Sequence, residues 1–255
     1  MKTNRLKQQL ASGQPCRGLW LGVPSPYSAR LLARLGLDWL LIDAEHAPLD
    51  AGTLTQMVAA IAEADGPAPL VRIPQASLEN VKQALDAGAY GVLAPMVNSA
   101  DEARQVVRWS KFPPLGERSF GSAYAGLSMD LSMSEYLRSA NAEILCMIQI
   151  ESKAALEDLD SIFGVVGVDL AFVGPVDLSI SLGLDPLAEN PHPRFQEAIE
   201  RILRTGRTYH KPLGIYCSNG KAAADRIRQG FQFVNLTSDI SSLIQGVEAE
   251  RNASQ

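Results

Sequence analysis

Short apolar runs alternate along this chain with longer stretches in which apolar residues recur at helical spacing. Eight such runs stand out, at residues 18–23, 39–43, 69–72, 91–95, 144–150, 170–173, 213–216 and 233–236. They are continuous rather than alternating, the pattern of parallel strands covered on both faces. Helical patterns separate most of them, at 27–35, 54–64, 77–87, 100–109, 153–159, 194–209 and 220–229. Ala87-Gly88-Ala89-Tyr90-Gly91 reads as a helix end with Gly at the C-cap, leading straight into a strand. Two connections are longer than the rest. Residues 112–141 are rich in Gly and Ser, and 177–211 carry a Pro-rich patch at 186–193. Eight strands joined by crossover helices favour a closed (β/α)8 TIM barrel of the α/β class over an open doubly wound sheet.

Length agrees with that reading: 255 residues is the usual size of one such barrel. No stretch reads as a linker, so the chain is expected to be one barrel domain over residues 1–255, with an N-terminal helix and a C-terminal helical extension. Composition adds mainly exclusions. The net charge of −5, with no basic run, gives no footprint for nucleic acid. Residues 1–10 are polar and amphipathic, unlike a secretory signal, and no apolar run approaches the ~18 residues of a membrane span. A soluble, cytoplasmic protein is expected. Its three cysteines, Cys16, Cys146 and Cys217, are far apart in apolar surroundings and read as reduced core thiols.

In this fold, chemistry gathers at the C-terminal ends of the strands. Those positions hold Asp43, Glu45, His46, Arg72, Gln149, Glu151 and Asp177. Polar groups at the ends of apolar strands are costly to bury unless they are paired or bound to something. Glu151 and Asp177, without a His pair or Cys, suit a hard divalent cation such as Mg²⁺ or Mn²⁺; the bland alternative is that each caps a helix. In Gly174-Pro175-Val176-Asp177, Gly174 reads as an N-cap and Pro175 as the first helical residue. The Val176 and Asp177 amides are then left free for an anion such as a ligand carboxylate. His46 is placed to act as a base, or else is a loop histidine bonded to a carboxylate. Arg72 either steadies an enolate or carboxylate oxygen, or forms a structural ion pair. Asp86, within 77–87, reads as a solvated helix-face residue, and His192 and His210 as surface residues.

Four motifs occur in order: Asp43-Ala44-Glu45-His46-Ala47-Pro48, Val71-Arg72-Ile73-Pro74, Gln149-Ile150-Glu151, and Gly174-Pro175-Val176-Asp177-Leu178-Ser179. With Gly116-Glu117-Arg118 and Leu93-Ala94-Pro95-Met96, they resemble the HpcH/HpaI family of class II, metal-dependent pyruvate aldolases. The likeness runs from about Gly18 to Leu236.

The resemblance implies a carbon–carbon lyase that cleaves or forms 4-hydroxy-2-oxo acids through a metal-bound pyruvate enolate, using Mg²⁺, Mn²⁺ or Co²⁺ and an aldehyde partner. Position by position, it implies that Glu151 and Asp177 hold the metal. His46 belongs to the acid/base machinery, with Asp43 and Asp86 supporting it. Arg72 steadies the enolate oxygen, Gln149 contacts pyruvate, and Gly174, Val176 and Asp177 receive its carboxylate. Homo-oligomers are also implied, commonly hexamers built from dimers with exchanged C-terminal helices.

Two departures fall on the acceptor side. Gln75-Ala76-Ser77 replaces the aromatic-Asn-Asp of the hydroxy-oxo-heptanedioate aldolases, and Ser119 stands where those enzymes carry Gly, nearer to a divergent fungal branch. Oxaloacetate decarboxylation and cleavage of citrate- or malate-type substrates use the same enolate and stay open. A catalytically silent acid-binding barrel would be expected to lose His46, Arg72 or a metal acid, and all are present. A Schiff-base mechanism is disfavoured because no lysine lies inside a predicted strand.

Overall fold

The computed structural model describes residues 4–255. Its eight strands are β1 (Cys16–Leu21), β2 (Trp39–Asp43), β3 (Ala68–Arg72), β4 (Gly91–Ala94), β5 (Leu145–Ile150), β6 (Leu170–Val173), β7 (Leu213–Ile215) and β8 (Phe233–Ser238). All pair in parallel with their sequence neighbours, and β8 closes on β1. The helices before β5 are α1 (Arg5–Ala11), α2 (Pro26–Leu32), α3 (Ala51–Ala62), α4 (Leu78–Asp86), α5 (Ala100–Ser110), α6 (Ala123–Leu127) and α7 (Met133–Glu143). Those after it are α8 (Lys153–Glu157), α9 (Leu159–Phe163), α10 (Pro175–Ser181), α11 (Pro193–Thr208), α12 (Gly220–Gln229) and α13 (Asp239–Ala253). The expected closed (β/α)8 barrel is the observed fold. The first three residues of the N-terminal stretch lie outside the described residues. No helix among those described is long and apolar enough to cross a membrane.

Three differences from the sequence reading have identifiable causes. β1 ends at Leu21 because the next two amides, Gly22 and Val23, turn to the Asp239 carboxylate at 2.8 and 3.0 Å. The Gly- and Ser-rich connection is not all loop. It carries α6 and α7, and a capping box between Ser132 and Glu135 starts α7. The helical stretch at 153–159 is broken into α8 and α9, with Asp158 as C-cap of one and N-cap of the other.

Inside the barrel, Trp39 stacks on Phe233 with ring centroids 4.0 Å apart, and Phe172 meets Phe233 edge-on at 6.0 Å. Gly18 makes the first stack possible, because a Cβ there would run into the Trp39 ring. All three cysteines are free and buried, and burial pushes each thiol up to about 12. They are inert core residues.

Candidate active site

Asp43 ends β2 and Arg72 ends β3, and the register places them side by side. Arg72 Nε donates to Asp43 Oδ1 at 2.9 Å and Nη2 to Oδ2 at 2.6 Å, a bidentate clamp. Trp20 Nε1 also donates to Asp43 Oδ2 at 3.1 Å, and the Glu45 and His46 amides reach Oδ1 at 3.1 and 3.3 Å. Burial pushes the Asp43 carboxyl up, but the bonds and charge of Arg72, with Trp20 and the His46 amide, outweigh it and hold the group below its ordinary value. Asp43 is therefore an ionised clamp rather than a base. The Arg72 guanidinium lies over the Trp20 ring, 4.9 Å from its centroid.

Glu45 Oε2 lies 2.9 Å from Arg72 Nη1, yet it is buried without an aligned hydrogen bond. Burial raises its pKa, with Arg72 opposing. The His46 side chain is 66% exposed, and its Nε2 stands 3.9 Å from Glu45 Oε2, beyond hydrogen-bond distance.

Glu151, only 3% exposed, follows β5. The Met96 amide donates to its Oε1 at 2.7 Å and Gln149 Nε2 to its Oε2 at 2.5 Å. Met96 turns its amide this way from a left-handed backbone, φ 53°, which is costly for a residue with a side chain. Burial raises the Glu151 carboxyl to about 7; the Met96 bond opposes this, while Asp177 and Glu45 add to it. A Cβ on Gly174 would strike Glu151 Oε2, so that glycine lets the carboxylate lie against the start of α10. Gly174 is the N-cap and Pro175 the first helical residue, as expected, and Asp177 sits exposed in the first turn. No helical carbonyl reaches the Val176 and Asp177 amides there.

These residues fit a divalent cation. Glu45, Glu151 and Asp177 are close enough to raise the cost of ionising Glu151, and two buried oxygens, Glu45 Oε2 and Gln149 Oε1, lack hydrogen-bond partners. Among the described residues no group of three or more His, Cys, Asp or Glu could enclose an ion. Two carboxylates that leave most coordination positions to water and substrate suit Mg²⁺-like ions.

Asp86 is not brought to this site. It ends α4, at the end of the barrel from which β4 starts, and pairs at 3.2 Å with Arg118, which also donates to the Tyr136 hydroxyl at 2.8 Å. His192 and His210 are exposed, as expected. Sequence reasoning missed the Met96 amide and Trp20. The apolar string before Trp20 hid its indole N–H, and no residue type announces the Met96 backbone.

The strand ends of this barrel bring together an arginine clamp, an exposed histidine and the buried acid Glu151. The family model for HpcH/HpaI aldolase/citrate lyase matches residues 17–246, and the chain belongs to that family. It is 42% identical over 247 residues to a 4-hydroxy-2-oxo-heptane-1,7-dioate aldolase of Escherichia coli, covering 96% of this chain and 93% of that one. It is 41% identical over 248 residues to a hydroxypyruvate/pyruvate aldolase of Pseudomonas aeruginosa, covering 97% and 91%. The crystal structure of an HpcH/HpaI aldolase/citrate lyase family protein from Burkholderia cenocepacia superposes with a TM-score of 0.91 at 35% identity, over 99% and 100% of the two chains. The protein is an enzyme, an aldolase of the carbon–carbon lyase class. Its family is in general dependent on a divalent metal.

Proposed function

We propose that this enzyme cleaves and forms 4-hydroxy-2-oxo acids by way of a pyruvate enolate, with an aldehyde as the second product or substrate. The observation that carries the reading is the Arg72 clamp. Of the five guanidinium N–H bonds, two are fixed by Asp43 and one faces Glu45. Two remain for an oxygen at the mouth, and they are already oriented by the carboxylate below and the Trp20 ring beside them. Such a preorganised donor is most useful where negative charge develops, on the former keto oxygen.

Glu151 and Asp177 would hold Mg²⁺, Mn²⁺ or Co²⁺, which when bound would supply positive charge to a developing enolate. The free Gln149 Oε1 and the Gly174 N-cap, with the Val176 and Asp177 amides, border the place for the pyruvate carboxylate and methyl. His46, exposed and beside Glu45, moves the proton of the aldehyde-derived hydroxyl, directly or through water. Asp43 supports it only indirectly, through the loop amides. Asp86 has no such path within one chain.

The described chain would act as one barrel domain, with α13 as an extension that pairs copies. Ile240, Leu243, Ile244 and Val247 form an exposed apolar stripe along it, which supports a homo-oligomer. A solution mass of one chain would overturn that part.

Metal-dependent exchange of pyruvate methyl protons tests enolisation without knowledge of the aldehyde. Arg72→Lys keeps the charge but loses the fork, and should slow both exchange and retro-aldol cleavage by roughly 10²-fold. If exchange survived while cleavage failed, Arg72 would bind the acceptor instead. Rapid release of CO₂ from oxaloacetate, without retro-aldol turnover, would favour a decarboxylase.

A further inference from the structure

A cavity of about 770 Å³ opens at the end of the barrel opposite the active site. It lies among the residues that start or precede the strands, including Pro15, Leu145, Asp169 and Leu213, and is flanked by the ends of α1 and α11. Lys7, Arg207, His210 and Lys211 line it, against a single acid, Asp169.

That acid is already committed. Its Oδ1 pairs with Lys7 Nζ at 2.9 Å, and its Oδ2 accepts the Cys146 amide at 2.8 Å and lies 3.8 Å from the buried Lys111 Nζ. Lys211 is half-buried and has no carboxylate partner; its Nζ donates to the Val168 and Val165 carbonyls at 2.6 and 3.2 Å. Burial lowers its pKa, with Asp169 opposing. Arg207 and His210 stand exposed at the edge, and their side chains make no ion pair or hydrogen bond among the described residues. The floor thus gathers the basic side chains Lys7, Lys211 and Arg207, with Lys111 buried behind them, around one carboxylate. The rest of the lining includes the apolar Leu10, Leu203, Ile227 and Phe231, with Leu203 one helical turn from Arg207.

Under-compensated positive charge beside an apolar wall, in a space of metabolite size, is the chemistry of a site for an amphiphilic anion. We infer that the barrel floor is a second ligand site, for a small organic anion. A carboxylate or phosphate head would sit between Lys211 and Arg207, and a short apolar body would lie against Leu203 and Phe231. Lys211 has one Nζ–H left after its two carbonyls, and the Arg207 fork is uncommitted, so each can give a charge-assisted bond.

Calorimetric titration of the metal-loaded enzyme with hexanoate, hexyl phosphate and hexan-1-ol tests this. At least one of the two anions should bind with a dissociation constant of about 1 mM or tighter, a modest affinity of ~4 kcal/mol, and the alcohol should not. The tighter of the two identifies the head group. Arg207→Glu, a change at an exposed position, should weaken binding about tenfold or more, since it replaces a charge-assisted bond with repulsion. Glu151→Gln should leave it unchanged, which separates this site from the mouth. Absence of heat from both anions, equal binding by the alcohol, unchanged affinity in Arg207→Glu, or loss in Glu151→Gln would each overturn the inference.

Discussion

At the floor of the barrel buried Lys111 and half-buried Lys211 end on carbonyl oxygens: Lys111 on Ile144 and Asn141 at 2.7 and 3.0 Å, and Lys211 on Val168 and Val165. At the mouth the charges are acidic, and some acceptors are left open. Glu45 Oε2 and Gln149 Oε1 are buried without hydrogen-bond partners, and Glu151 is pushed up to about 7. Both ends bury charge, but they do so for different reasons. The lysines close off the carbonyls of helix ends and loops, which burial would otherwise leave unpaired. The mouth keeps acceptors open, as a site must if a cation and a substrate are to complete it.

The largest effect that would sharpen this contrast is removal of the cation. Chelation should abolish retro-aldol turnover, and Mg²⁺, Mn²⁺ or Co²⁺ should restore it. Glu151→Gln and Asp177→Asn should fold normally and stay inactive whatever metal is added. Full turnover in excess chelator would erase the distinction between the two ends.

His46→Ala should have the next largest effect. A positioned acid or base contributes about 10²- to 10⁴-fold, so turnover should fall within that range while metal affinity is nearly unchanged. The ring has no partner but the surface of Glu45, so its loss should not cost stability. Wild-type turnover in this variant would make His46 an ordinary loop residue.

Much of this was legible in the sequence, for identifiable reasons. Strands covered on both faces must be apolar throughout, so β2 to β7 stood out as unbroken runs, and the polar residues at their ends marked the mouth. Gly174-Pro175 announced a helix start because proline has no N–H to lose there. What escaped notice depended on contacts between distant residues. β1 stops where it does because of Asp239, more than two hundred residues away, and Met96 matters through a backbone amide that any residue type could supply. Asp86 shows the converse. The family resemblance pointed it toward His46, but α4 carries it away from the strand ends, to a pairing with Arg118.

The smallest effect is on stability, and it separates the two ends most cleanly. Glu151 has its folded pKa raised from 4.5 to about 7, chiefly by burial. A raised carboxylate contributes stability that is fully present below its unfolded pKa and is lost as pH climbs through the folded one. The metal-free protein should therefore weaken between about pH 4.5 and 7, by at most ~3 kcal/mol for a shift of this size. Glu151→Gln removes the titration while keeping an oxygen for the Met96 amide. Without metal, the variant should match the wild type at the acid end of that window and unfold at higher denaturant above it. Comparing the two proteins cancels the titrations they share, including those of Asp43 and Glu45 where the variant leaves them unaltered. Added Mg²⁺ should then stabilise only the wild type, because a cation that binds the ionised folded state offsets the cost of desolvating Glu151. Parallel unfolding curves for wild type and variant across the whole window would mean that Glu151 is as well solvated as a surface acid.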